Sequence, residues 1–238
     1  MESQIKALDE RTFRDCVKLG GSVALVRVVS AKASNQGTRG ARVHVEYVLE
    51  QGIHGTTPRQ ASFWLWGGLD NALIGGRLIV ALKYSPENAK DVGLLSSVLI
   101  PKGQEEEAVR QHKEVLARME RSVDVLDSQS LHAYAQGEGS IAVVRVTKVG
   151  PTRQGSQGYE VRLGYELEQA LHGQPPRQAS FWVAGGPDAV RTGQQLVVAL
   201  MPGSEDAAGP ELELMDFVRV PKGQESEAIR LHREALQK

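Results

Sequence analysis

The heptapeptide Pro-Arg-Gln-Ala-Ser-Phe-Trp occurs twice in this chain, at Pro58–Trp64 and unchanged at Pro176–Trp182. The likeness spreads outward at a constant offset of 118 positions. GGSVALVRV at Gly20–Val28 returns as EGSIAVVRV at Glu138–Val146, and VHVEYVLEQGIHG from Val43 returns as VRLGYELEQALHG from Val161. Further on, IPKGQEEEAVRQH from Ile100 returns as VPKGQESEAIRLH from Val220, after an insertion of two residues. Repeats of about 20–50 residues would indicate a solenoid. A unit near half of 238 residues is long enough to enclose its own core. The chain therefore reads as two tandem copies of one domain, residues 1–120 and 121–238.

Reading the copies together filters accidental patterns, because both must satisfy one fold. Leu8, Phe13 and Val17, matched by Leu126, Leu131 and Ala135, predict a short N-terminal helix that Gly20-Gly21, or Gly137 and Gly139, ends. Ser22–Ser30 and Ser140–Thr147 are rich in Val and Leu and read as buried strands. The polar stretches Ser34–Gly40 and Thr152–Gly158 read as turns. The second strand alternates: Val43, Val45, Tyr47 and Leu49 inward, His44, Glu46 and Glu50 outward, with Val161, Leu163, Tyr165 and Leu167 repeating the inward set. Strand three spans Gln60–Trp66 and Gln178–Ala184, strand four Arg77–Lys83 and Gln195–Met201, strand five Leu94–Ile100 and Leu212–Val220. After Gly103 or Gly223, Ala108, His112, Val115 and Met119 follow the helical stripe. Each copy is thus helix, five strands, helix: an α+β unit, mainly β, around a small closed or nearly closed barrel. The join Met119–Asp124 lacks Pro and Gly and reads as a stiff helical connection.

A VALVRV strand after a short helix, a long alternating strand ending in His-Gly, a strand–turn–Gly-Gly–strand unit and a terminal helix resemble the netrin-like, TIMP-like version of the OB barrel. The resemblance covers nearly all of each copy and implies two tandem five-stranded barrels. One departure limits what it implies for function. The metalloprotease inhibitors of that family carry many disulfides and present an N-terminal Cys to the catalytic zinc. Here the first residue is Met1 and Cys16 is the one thiol, so neither feature carries over.

Lys and Arg number 28 against 29 Asp and Glu, a formal charge of −1, which gives no global pull toward nucleic acid or anionic membrane. A single Cys excludes an internal disulfide and any zinc site needing two thiolates. No apolar run approaches the roughly 18 residues of a membrane helix. The N-terminal segment lacks the basic region and apolar core of a secretory signal. The sequence accordingly reads as cytoplasmic, with a periplasmic or secreted location the alternative if a leader has been removed.

Among candidate residues, Arg59 with Trp64 and Trp66, and Arg177 with Trp182, could form aromatic and cationic partner-binding surfaces. The competing reading packs Trp64 beneath a helix, with Phe63, Ala61 and Leu65 inward. Arg27 and Arg145 lie within apolar strands and need carboxylates, which Glu50 and Glu168 supply as structural ion pairs at the core or its rim. His54 and His172 read as turn residues before Gly, His112 and His232 as packing residues on the terminal helix. No phosphate loop, GxSxG, HExxH or recurring acidic pair is present. Cys16 has Tyr134 as its counterpart in the second copy and no His partner in both, so no nucleophile, base and orienting group assemble. The pattern predicts a non-catalytic interaction module with a protein partner, and no cofactor or metal. Balanced charge and few aromatics, most at inward strand positions, argue against the alternative, a single-stranded nucleic-acid binder. A protease inhibitor of altered mechanism is the third reading.

Overall fold

A computed structural model describes residues 7–34, 42–66, 74–85, 89–155, 158–187, 189–206 and 209–237. It divides into two compact units, Met1–Met119 and Glu120–Lys238. The first holds α1 (Glu10–Lys18), β1 (Ser22–Ser34), β2 (Arg42–His54), β3 (Gln60–Trp66), β4 (Arg77–Leu82), β5 (Leu94–Ile100) and α2 (Glu105–Met119). The second holds α3 (Ser128–Gln136), β6 (Ser140–Gly155), β7 (Gly158–His172), β8 (Gln178–Ala184), β9 (Gln195–Asp206), β10 (Gly209–Arg219) and α4 (Glu225–Leu236).

The second unit is a closed barrel, ordered β10-β8-β7-β6-β9. Closure comes from a parallel contact between β10 and β8, Glu211 with Ser180 and Leu212 with Phe181. The first unit is a five-stranded sheet, ordered β3-β2-β1-β4-β5. Its two ends meet at the equivalent place through a parallel bridge between Ser62 and Asp91. There Ser62 N donates to Lys90 O at 2.7 Å and Val92 N to Ser62 O at 2.8 Å. The architecture is mainly β within an α+β class, and it contains a five-stranded barrel.

Two kinds of strand follow from two sequence patterns. β1 and β4 are apolar at successive positions and are buried on both faces. Ala24, Val26, Val28, Leu78, Val80 and Leu82 face the interior with Tyr47 and Phe63. Val23, Leu25, Ile79 and Ala81 face the other way and are covered by Phe13, Cys16 and Val17 of α1 and Ala108 and Val109 of α2. The second unit repeats this, with Ile141, Val143, Val197 and Ala199 packed against Leu131 of α3 and Ala228 of α4. β2 and β3 instead alternate, so only one face enters the core. The helices take the outer face over β1 and β4 and meet β2 near its end, at Ile53. Toward the start of β2 and along β3 that face keeps exposed side chains, Trp64 and Trp66 among them.

Several elements differ from expectation. Thr152–Gly155 belongs to β6 and pairs with β7 down to Gly155 opposite Gly158. Its polar composition reads as a turn, but ladder hydrogen bonds are made by the backbone, and Arg153 and Glu160 pair across the strands at 2.8 Å. β1 continues to Ser34, and most of the turn expected after it lies outside the described residues, as does Gly67-Gly68. β4 stops at Leu82, whereas β9 extends to Asp206 and β10 runs from Gly209 to Arg219. The join is not helical: α2 ends at Met119, and Glu120–Asp127 is turn and irregular chain. The His-Gly ends of β2 and β7 have a backbone reason. Gly55 and Gly173 take φ of +64° and +70°, and a Cβ on Gly55 would lie 2.6 Å from Gly21 O.

Candidate functional site

In the first unit β2 and β3 pair antiparallel, with Arg42 opposite Trp66, His44 opposite Trp64 and Glu46 opposite Ser62. These residues share the outer face. Val43, Val45, Phe63 and Leu65 between them are buried in the core. Trp64 is 44% exposed and Trp66 51%, although both are large apolar side chains. The Arg42 guanidinium carbon lies 3.8 Å from the centre of the Trp66 ring, a cation–π contact. The rings of His44 and Trp64 are 4.8 Å apart and tilted by 48°. His44 Nε2 is 3.4 Å from Asp91 Oδ1, which also accepts a hydrogen bond from Ser62 Oγ. The Ser62 hydroxyl, and after it His44, hold the Asp91 carboxyl below the ordinary carboxylate range. The result is a row of two open indoles, flanked by a guanidinium and an imidazole, with an ionised carboxylate at its end.

The second unit presents a different face. Glu160 stands opposite Ala184 and Arg162 opposite Trp182. Trp182 is half-buried, and the Arg153 guanidinium sits 3.8 Å from its ring centre. Arg153 is anchored by Glu160 at 2.8 Å, and Arg162 Nε donates to Ser180 Oγ at 3.0 Å. The heptapeptide is shared, but the open aromatic row is not.

The expected pairing of Arg59 with Trp64 is absent, as is that of Arg177 with Trp182. Arg59 and Arg177 are exposed in the bends before β3 and β8, where their carbonyls accept from Leu49 N and Leu167 N. Five residues of extended strand, about 17 Å, separate each arginine from its tryptophan. Trp64 lies on the same outer face as the helices but is not covered by one: α1 and α2 pack over Val23, Leu25, Ile79 and Ala81 of β1 and β4, and Trp64 stays 44% exposed. Arg42, His44 and Asp91 belong to no sequence motif. The outward alternation of β2 places the first two beside the tryptophans. Asp91 arrives from the segment before β5, for which the sequence carries no signal.

Arg27 Nε lies 3.2 Å from Glu50 Oε1, and Arg77 Nε 2.7 Å from Glu50 Oε2. Arg145 pairs with Glu168, to which Gln195 also donates. Arg27 and Arg145 are exposed, so both pairs sit at the rim. Cys16 is buried, its thiol pushed up to about 12 by burial, and its Sγ is 3.4 Å from Leu82 O. Such a thiol is unreactive. His112 and His232 are buried in the same way: Nδ1 contacts the carbonyl of Ala108 or Ala228 at 2.7 Å, and Nε2 accepts from Leu8 N or Leu126 N at 3.2 Å. Among the described residues no three His, Cys, Asp or Glu side chains gather as a metal site, and no helix is long and apolar enough to cross a membrane.

No family model matches the chain, and no curated protein matches it. Solved structures do. A murine DNA-binding protein bound to double-stranded DNA is 14% identical, covering 84% of this chain and 96% of its own, at a TM-score of 0.25. The tetrameric p202 HIN2 is 10% identical, covering 83% and 91%, at 0.25. A replication protein A heterotrimer bound to single-stranded DNA is 13% identical over 89% of this chain, which spans 51% of that one, at 0.24. A likeness this loose transfers neither a ligand nor a site. The expectation of a protein partner, with nucleic acid disfavoured, is nevertheless corrected. The premise that the aromatics point inward fails at Trp64 and Trp66, which are 44% and 51% exposed.

Proposed function

We propose that the first unit is an OB-type barrel that binds single-stranded nucleic acid on the outer face of β2 and β3, without catalysis. The strand order, closed by a parallel contact, and the His-Gly turns common to both units support reading the two as copies of one barrel. They fit its netrin-like version.

One observation carries the function: two exposed indoles at alternate positions of one strand, each with a planar cationic or imidazole neighbour. Every base has a π-face, so an aromatic platform accepts unpaired bases of any sequence, and each stacked base is worth about 1–3 kcal/mol. A duplex hides those faces. Arg42 would meet the backbone or extend the stack. The near-neutral total charge implies few phosphate contacts and hence a shallow dependence on salt.

Tryptophan fluorescence tests this, since the chain has three Trp and two stand on the platform. Titration of the full chain with an oligothymidylate of about ten nucleotides should quench emission and saturate. Replacing Trp64→Ala and Trp66→Ala together should weaken binding by more than about tenfold. Unchanged affinity in that double variant, read by anisotropy of a labelled strand, would sink the proposal.

A further inference from the structure

We infer that Asp91 makes this face select guanine among the bases that stack on Trp64. The inference rests on reading the face as a single-strand binder. Along β3 the outward side chains run Trp66, Trp64, Ser62, and Asp91 is bridged to Ser62 both through the backbone and through its side chain. The carboxylate therefore stands one outward position beyond Trp64, at the edge of a base lying on that indole. Its Oδ1 is occupied by Ser62 and His44. Among the described residues Oδ2 has no partner, and the side chain is 72% exposed.

An ionised carboxylate accepts hydrogen bonds and donates none. Guanine alone presents two adjacent donors, N1–H and the N2 amino group, on its Watson–Crick edge. Adenine and cytosine set one donor beside a ring nitrogen acceptor, which repels a carboxylate. Thymine and uracil enclose their single N–H between two carbonyl oxygens. A free edge read in this way requires an unpaired base, which agrees with a stacking platform. The second unit carries Arg162 where the first has His44, and that guanidinium engages Ser180.

The test compares three strands on the full chain: an oligothymidylate, the same strand with two adjacent central guanines, and that strand with hypoxanthine in place of guanine. Hypoxanthine keeps N1–H and lacks the amino group. The guanine strand should bind about tenfold tighter than the oligothymidylate, and hypoxanthine should forfeit most of that gain. Asp91→Asn should reduce the preference to under about twofold without weakening the oligothymidylate. Equal binding of guanine and thymine strands by the unaltered protein overturns the role of Asp91 and leaves the single-strand reading standing. A preference that persists in Asp91→Asn overturns it too. Failure of every strand to bind removes the single-strand reading and this inference together. The hypoxanthine arm leaves the protein unaltered, so it tests recognition of the amino group even if Asp91→Asn disturbs Ser62, and affinity unchanged by hypoxanthine overturns the inference.

Discussion

The two heptapeptides are identical, yet they do the same thing only on their inward side. Phe63 packs on Tyr47 at 5.6 Å and 34°, and Phe181 on Tyr165 at 5.6 Å and 35°. Outward, Trp64 is open and Trp182 is covered by Arg153. The difference comes from residues outside the shared segment: Arg42, His44 and Trp66 in one unit, Glu160, Arg162 and Ala184 in the other. Identity between the two segments therefore reports packing, which both units need. The available surface is written by the cross-strand neighbours, which are free to diverge. A segment unchanged between copies is a poor guide to function, and its variable partners are a better one.

The largest expected effect tests the inward half of that comparison. Phe63→Ala and Phe181→Ala each remove a fully buried ring, and each should cost its own unit about 3–5 kcal/mol. Chemical denaturation followed separately in the two variants should give losses equal to within about 1 kcal/mol. A markedly milder loss in one would mean that the two interiors are not equivalent, whatever their ring geometry.

Much of this arrangement is legible in the residues, and the limits of legibility have physical causes. Apolar runs in β1 and β4 against strict alternation in β2 announce which strands are sandwiched and which have one open face. The partners of Arg27 and Arg145 follow from the need to neutralise a cation among apolar strands. What the sequence does not carry is how far the helices reach across the outer face. Trp64 could be read as covered because nothing in one strand tells which strands α1 and α2 will cover. That choice is made by Val23, Leu25, Ile79 and Ala81 on other strands. Asp91 is hidden for a second reason: its position depends on closure of the sheet through Ser62, a contact between distant segments with no periodic signature. The longer β6–β7 hairpin was masked by polar composition that a backbone ladder tolerates.

A second test asks whether the units share their buried histidines in energetics as they do in geometry. Leu8 N and Leu126 N can only donate and the carbonyls of Ala108 and Ala228 only accept, so both rings are neutral with the proton on Nδ1. Burial holds both below the ordinary value of 6.5, and protonating Nε2 would also set two N–H groups against each other. Above 6.5 neither folded nor unfolded chain binds the proton, so stability is flat from this source. As pH falls through 6.5 the unfolded chain takes up a proton at each site that the folded chain refuses, and stability drops until the depressed folded values are reached. Denaturation at a series of pH values should show this loss in both units, and His112→Gln should flatten it in the first only. A flat profile in the unaltered protein would contradict the neutral, doubly bonded rings.

The smallest effect bears most directly on the outward difference. Glu160 anchors Arg153, which covers Trp182, and Ala184 stands where the first unit has Trp66. Glu160→Arg replaces that anchor by a like charge, which should drive Arg153 off the indole and restore the cation found at Arg42. Adding Ala184→Trp completes the row. With an oligonucleotide too short to engage both units, the apparent affinity should rise by about twofold at most, the statistical gain of a second equal site. The stoichiometry should move from one strand per chain toward two. If the double variant folds and still binds a single strand, the silence of the second unit has another origin. Arg162, locked on Ser180 in place of His44 beside Asp91, would then be the residue that separates the two faces.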